Sequence, residues 1–274
     1  MNLKKGVFTL FYLALFVTTA PLFALTSRPA DHQILPEVIW AAASGGGTWV
    51  TEVQILASES DVTVHGYFYY GTGSRHITNI ANIPEDTKVF FPNILAHLQS
   101  VDPSFNYYGK VGTLWLYVQD PANDRILATA RTINGNYGKT YPGLNWVDDN
   151  CVLLYQSKLI LDMRFTSTYR TFVGCFNAIS GGYSLTAEFY LVGGDGYLLG
   201  SVFTKTFAPW EFKSFNPFVE AGLPAPSSSY QNVHLHIRVT STTSPNPSRG
   251  LIVFASSANN TTNDTYAHFP VNAY

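Results

Sequence analysis

The sequence predicts an all-β protein made of two tandem, related β-sandwich-like domains with little helix. Many short stretches alternate between apolar and polar residues and are separated by turn residues, as in sandwiches and barrels. The chain is 15% aromatic but only 12% charged, whereas an average soluble domain is about 25% charged. The strand pattern of the first half returns in the second. We therefore expect one domain at residues 25–145 and a related one at residues 146–274.

The clearest pair of strands lies at residues 48–70. Alternation with a period of two, which marks a half-buried strand, runs through residues 48–55 and again through residues 62–70, with a polar turn between them. A similar pattern recurs at residues 168–191. Because the repeat has the size of a domain, it argues against a solenoid of small repeats.

The other elements follow in chain order. Residues 34–42 form an apolar opening strand, and Pro36 within it favours a position at a sheet edge. Residues 92–99 begin with a proline, as helices tolerate, and are the helical stretch expected in the first half. The other predicted strands are residues 87–91, 112–119, 125–132, 151–165, 197–206, 233–240 and 251–257.

The amino terminus predicts export. Lys4 and Lys5 precede a nearly continuous apolar run at residues 7–23, and Ala24 suits the last residue before a cleavage site. We therefore expect a signal peptide at residues 1–24 and a secreted, periplasmic or cell-surface protein with no stable membrane span after cleavage. The alternative is an uncleaved anchor, because the run approaches the roughly 17 residues that a spanning helix needs.

The chain has two cysteines, Cys151 and Cys175. In an exported protein such a pair can form a disulfide. Buried free thiols that pack as small apolar residues are the alternative. The sequence leaves both interpretations open.

Two motifs point to a family. The segment A-R-T-I-N at residues 130–134 is followed by Y-G at 137–138, and R-T-F-V-G-C-F-N stands at 170–177. In this pattern the chain resembles secreted bacterial tandem β-sandwich proteins of uncharacterised function. The resemblance implies exported tandem sandwiches and no catalytic activity. Residues 256–257 are Ser-Ser where the first half has Arg-Thr, so a function tied to Arg131 would be confined to the first domain.

The sequence offers little for catalysis, metals or nucleic acid. A net charge of −2 gives no basic surface for nucleic acid. Nucleophile-elbow, zinc-protease, P-loop and EF-hand patterns are absent from the sequence, so we expect no enzyme and no cofactor. His234 and His236 have the spacing of two metal ligands on one strand face, but no third ligand is evident. Asp148 and Asp149 are interpreted as a solvated linker rather than an acid–base pair.

The candidate ligand or interface residues are aromatic side chains and one arginine. Tyr67, Tyr69 and Trp115 could stack on sugar rings, but the favoured alternative is that they belong to the core or are ordinary exposed aromatic residues. Arg131 could bond loop carbonyls or the neighbouring unit, or bind a carboxylate ligand. Tyr137 lies in the loop that follows it.

Two functions remain from this reasoning. The first is a non-enzymatic structural or adhesive protein that acts through strand edges and aromatic loops, with protein partners or self-association. The second is a carbohydrate-binding module that uses exposed Tyr and Trp side chains, with a glycan as its partner.

Overall fold

The computed structural model describes residues 28–43, 46–58, 60–145, 151–179, 181–245, 247–261 and 265–273. In these ranges the protein is almost entirely β, with two short helices. No helix within them has the length and apolar character needed to cross a membrane. The predicted signal peptide and the Asp148–Asp149 pair lie outside the described residues.

The described residues of the first half form eight strands and one helix. They are β1 (His32–Ala42), β2 (Thr48–Ser58), β3 (Val62–Tyr70), β4 (Gly73–Ile83), β5 (Lys88–Phe91), α1 (Ile94–Val101), β6 (Lys110–Val118), β7 (Arg125–Asn134) and β8 (Tyr137–Pro142).

The strands of the first half are joined in the order β4-β3-β6-β1-β2-β7-β8, with β5 also beside β2. β1 pairs with β6 along most of its length and with β2 only at its end, over Trp40–Ala42. Inward-facing residues of β3 and β6, such as Val64 and Leu114, share one apolar cluster with Val53 and Ile55 of β2. The two runs of strands on either side of the β1–β2 hairpin therefore enclose a common core.

In the second half, ten strands and one helix lie within the described ranges. They are β9 (Cys151–Val152), β10 (Ser157–Met163), β11 (Tyr169–Asn177), β12 (Leu185–Val192), β13 (Leu198–Phe207), β14 (Phe212–Phe215), α2 (Pro217–Glu220), β15 (Val233–Thr242), β16 (Leu251–Asn259), β17 (Thr265–His268) and β18 (Val271–Asn272).

The strand order of the second half repeats that of the first. One sheet runs β13-β12-β15-β10-β18, and the other runs β14-β11-β16-β17 with β9 on β16. The first four strands of the β13–β18 sheet correspond to β4-β3-β6-β1, and β14-β11-β16-β17 of the other sheet correspond to β5-β2-β7-β8. The apolar cluster of the first half also includes Phe176, Phe212, Ile252 and Phe254. Because that cluster crosses the boundary at residues 145–146, the division into two domains stays a prediction.

Bulges fall at matching places in the opening strands of the two halves. β1 has a register shift between Leu35 and Val38, and β10 has one between Ile160 and Met163. Glu37 and Asp162 each stand directly before the second of these residues, so they occupy equivalent positions.

A buried hydroxyl pair recurs as well. Thr51 and Thr132 bring their Oγ1 atoms to 3.0 Å, and Thr171 Oγ1 lies 2.8 Å from Ser257 Oγ. Thr51 and Thr171 also accept a backbone N–H from the segment of their own opening strand. Ser257 takes the position of Thr132 and keeps the hydroxyl group that bonds to the equivalent threonine.

Pro36 corrects one expectation. It lies in β1, which is an interior strand between β6 and β2 rather than an edge. The proline falls in the bulge between Leu35 and Val38, where ladder pairing is already interrupted. The missing N–H therefore costs no ladder hydrogen bond.

Candidate functional site

The outer face of β3, β4 and β6 carries a cluster that we call the aromatic–histidine face. It consists of His65, Tyr67, His76 and Tyr117. Alternation along β3 turns its apolar residues into the core and sends His65 and Tyr67 outward. Register places Tyr67 opposite His76 on β4, and His65 opposite Tyr117 on β6. His76 is exposed and the other three are half-buried.

The rings of this face stand parallel to one another. Tyr67 lies 4.5 Å from His76 and 5.7 Å from Tyr117 between ring centroids, with interplanar angles of 22° and 23°. His65 stacks on Tyr117 at 5.4 Å, and Nε2 of His76 is 2.6 Å from the Tyr117 hydroxyl. Because the rings cover each other's faces, the groups left for a partner are the ring edges and the polar atoms that these internal hydrogen bonds do not use.

Burial affects protonation on this face. The pKa of His65 is lowered, first by burial and then by the neighbouring His76. The pKa of Tyr117 is raised, first by burial and then by Tyr67. Both shifts favour the neutral form, so we expect these two groups to act as hydrogen-bonding groups and not as charges near neutral pH.

Tyr69 is not available to a ligand, which corrects its expected role. It is only 5% exposed and stacks on Trp210 at 5.6 Å and on Phe176 at 5.0 Å. Trp115 is half-buried and lies 5.6 Å from Trp210. Burial, followed by the neighbouring tyrosines, raises the pKa of Tyr69. Tyr69 and Trp115 therefore belong to the contact between the two halves, and Tyr67 alone of the three predicted aromatic residues lies in the aromatic–histidine face.

Arg131 lies on the outer face of β7, with its side chain 53% exposed. Its guanidinium is 3.6 Å from the Glu52 carboxylate on β2. An exposed pair of this kind contributes about 0–1 kcal/mol. The backbone of Tyr137 lies in β8, and its side chain falls outside the described part of the chain.

A buried charged cluster, which the sequence pattern does not reveal, joins the two halves. Lys139 Nζ lies 2.8 Å from Glu37 Oε1, and the two side chains are only 7% and 13% exposed. The same ammonium group donates to Ser256 Oγ of the second half. Tyr141 lies beside them, and its pKa is raised by burial and next by the Glu37 charge. The signal in the sequence is weak, because a single lysine within an alternating strand resembles an exposed residue.

Cys151 and Cys175 are free, buried thiols, so the disulfide alternative is not realised. β16 lies between their strands, with Cys151 opposite Ile252 and Cys175 opposite Val253. Two strand spacings put them about 10 Å apart, beyond the roughly 7 Å that a disulfide tolerates between Cα atoms. Burial raises the pKa of the Cys151 thiol to about 11 and also raises that of Cys175.

Ser257 and His268 lie within hydrogen-bond distance, as a serine nucleophile and its histidine base would. Ser257 Oγ lies 3.0 Å from Nε2 of His268 and also bonds to Thr171. Ser257 is only 2% exposed, so its oxygen is not presented to a substrate. The pair therefore stabilises β16 and β17 rather than forming a nucleophile and base.

The predicted histidine pair does not assemble a metal site. Nδ1 of His234 accepts the Asp162 backbone N–H at 3.4 Å, and His236 stacks on Tyr190 at 4.5 Å. Within the described ranges, no group of three His, Cys, Asp or Glu side chains is placed to hold a metal ion.

Comparisons with known proteins add little. No family model and no curated protein matches the chain. Among solved structures, Bacteroides uniformis beta-glucuronidase 2, covalently bound to cyclophellitol-6-carboxylate aziridine, is similar at 11% identity and a TM-score of 0.17 over 83% of this chain. The chain spans only 26% of that protein. The apo Pleurotus Ostreatus lectin is similar at 10% identity and a TM-score of 0.18, over 90% of this chain and 76% of the lectin. Likenesses at this level carry no argument about fold or function.

Proposed function

We propose that this chain is an exported, non-enzymatic interaction protein that binds a macromolecular partner through the aromatic–histidine face. The observation that carries the proposal is the geometry of that face. His65, Tyr67, His76 and Tyr117 are stacked on the outer side of a three-strand surface. His76 is exposed and the other three are half-buried.

The physical chemistry of the face suits binding. Tyrosine is enriched at protein interfaces because it combines a large apolar body with a hydroxyl. Here the rings are already fixed against each other in the folded protein. Little side-chain entropy is then lost when a partner docks, which favours affinity.

The first test is a binding comparison. The labelled protein is incubated with intact cells and with isolated cell-wall material of the source organism. We expect Tyr67→Ala and Tyr117→Ala each to weaken binding by about tenfold or more, the effect of losing about 1.4 kcal/mol at an interface hot spot.

The matched control is Tyr155→Ala. Tyr155 is a tyrosine of the second half that is 68% exposed, and its loss should leave binding unchanged. Equal binding by all three variants, or an equal loss in all three, would exclude the aromatic–histidine face as the contact surface.

A glycan is the second candidate partner. The observation in its favour is that hydroxyl and imidazole groups, which can hydrogen-bond to sugar hydroxyls, lie at the ring edges. Three of these atoms are already paired within the protein, in the His76–Tyr117 contact and in the bond from the Asn79 N–H to His65. Against it, the rings cover each other and leave no flat platform for a sugar ring. Competition by soluble cell-wall polysaccharide would identify a glycan, whereas loss of binding after protease treatment of the cells would identify a protein.

A further inference from the structure

The two halves of the chain meet through two different faces. The first half contributes a receiving face on the outside of β1, β3, β6 and β8. The second half contributes an inserting face on the outside of β11, β14 and β16, together with the turn before β14. The residues of the receiving face are Glu37, Tyr69, Trp115, Lys139 and Tyr141, and those of the inserting face are Phe176, Trp210, Phe212, Phe254 and Ser256.

Because the strand order repeats, the second half has its own equivalent of the receiving face. Asp162 takes the position of Glu37, as the matching bulges show. Leu35 and Ile160, the last paired residues before those bulges, pair with Leu114 on β6 and Leu235 on β15. Leu114 and Leu235 are therefore equivalent, and so are the next residues, Trp115 and His236.

In the described part of the chain, the residues of this second receiving face are exposed or half-buried. The Asp162 side chain is 50% exposed, and Leu161 beside it is 42% exposed. Tyr266 pairs with Ser257 as Lys139 pairs with Thr132, so Tyr266 takes the position of Lys139. Tyr266 is 52% exposed, whereas Lys139 is buried.

The first half likewise has an equivalent of the inserting face. Thr132 and Ser257 are equivalent members of the two buried hydroxyl pairs, and Arg131 and Ser256 stand directly before them. Arg131 therefore takes the position of Ser256. Asp86 takes the position of Trp210. Both have a positive φ, of 53° and 60°. Equivalent backbone hydrogen bonds close their turns, from Thr87 N–H to the Pro84 carbonyl and from Glu211 N–H to the Ala208 carbonyl.

Two of the substitutions between equivalent positions are complementary in charge. Within the chain, Ser256 meets the Glu37–Lys139 pair and Trp210 meets Trp115. If one copy of the first half occupied the second receiving face of another copy in the same way, Arg131 would meet Asp162. Asp86 would meet His236, whose ring N–H can donate to a carboxylate.

We propose that a second copy of this chain docks on the second receiving face and repeats the contact between the halves, with Arg131 of one copy against Asp162 of the next. The contact is heterologous, so it continues from copy to copy and produces linear assemblies unless the rotation closes a ring. It does not use the aromatic–histidine face and so goes beyond the proposed partner binding.

The proposed contact should be weaker than the one inside the chain. Its central residues are charged and exposed, whereas the intrachain contact is buried and includes the aromatic side chains of Tyr69, Phe212 and Phe254. Arg131 and Asp162 must also leave their present partners, Glu52 and Arg164. Charge pairs of this kind are screened by salt, so assembly should be favoured at low ionic strength.

The test is sedimentation velocity with light scattering on the purified protein, from about 1 μM to 1 mM, in low and high salt (a Debye length of about 30 Å and about 3 Å respectively). The proposal expects the average mass to rise with protein concentration in low salt. At the same protein concentration, the mass should be lower in high salt. Arg131→Glu and Asp162→Arg should each weaken association by about tenfold or more, equivalent to about 1.4 kcal/mol.

The decisive variant combines both changes. Arg131→Glu with Asp162→Arg restores opposite charges across the contact and should restore association, and Arg131→Lys should retain it. A monomer at every concentration, or a double variant as weak as the single ones, would overturn the proposal. Because Tyr67 and Tyr117 lie outside this contact, their alanine variants should assemble normally, so a failure here is distinguishable from a failure of partner binding.

Discussion

Replacement of Lys139 by methionine should lower the free energy of unfolding by about 3–5 kcal/mol, the typical cost of leaving a buried charge without its partner. Glu37 would keep its carboxylate at 13% exposure with no cation at 2.8 Å. Ser256 would lose the donor that reaches it from the first half. Urea denaturation of wild type and variant, followed by far-ultraviolet circular dichroism, measures the change.

The control for this prediction replaces both charges, as Lys139→Met with Glu37→Leu. Two apolar residues of similar volume often match or exceed the stability of a buried ion pair. The double variant should therefore recover most of the loss. If Lys139→Met costs less than about 1 kcal/mol, which is the range of an exposed pair, the buried pair is not part of the folded protein in solution.

Replacement of Phe254 by alanine should cost about 3–5 kcal/mol, as for other fully buried aromatic residues. Phe254 is 1% exposed and packs edge-on against Tyr141 of the first half at 5.7 Å. Its loss would open a cavity between the halves. We therefore expect one unfolding transition for the whole chain, with its midpoint moved to a lower urea concentration in Phe254→Ala.

The matched control is Phe172→Ala on the neighbouring strand. Phe172 is 42% exposed, so its loss should change stability by less than about 0.5 kcal/mol. Two separate transitions, with only one moved by Phe254→Ala, would contradict a shared core and would favour two independent domains.

Much of the strand pattern could be predicted from the sequence, because half-buried strands leave a period-two signature. The edge strand β4 could not. Its buried residues Ile77, Ile80 and Ile83 are spaced by three, because the bulge opposite His65 interrupts the alternation. Local periodicity therefore fails where a bulge adds residues to one strand.

The candidate site was predictable only in part. The alternation of β3 places Tyr67 and Tyr69 on one outer face, and the structure confirms that placement. It could not show that the second half covers Tyr69 and leaves Tyr67 accessible, because that depends on contacts with Trp210 and Phe176, more than a hundred residues away. The separation of the two cysteines depends in the same way on β16 lying between their strands.

The most direct measurement of the central claim is hydrogen–deuterium exchange of the protein, free and bound to cell-wall material of the source organism. The account predicts that protection on binding is concentrated in the strands that carry the aromatic–histidine face, Val62–Tyr70, Gly73–Ile83 and Lys110–Val118. Protection confined to the second half, with these three strands unchanged, would contradict it.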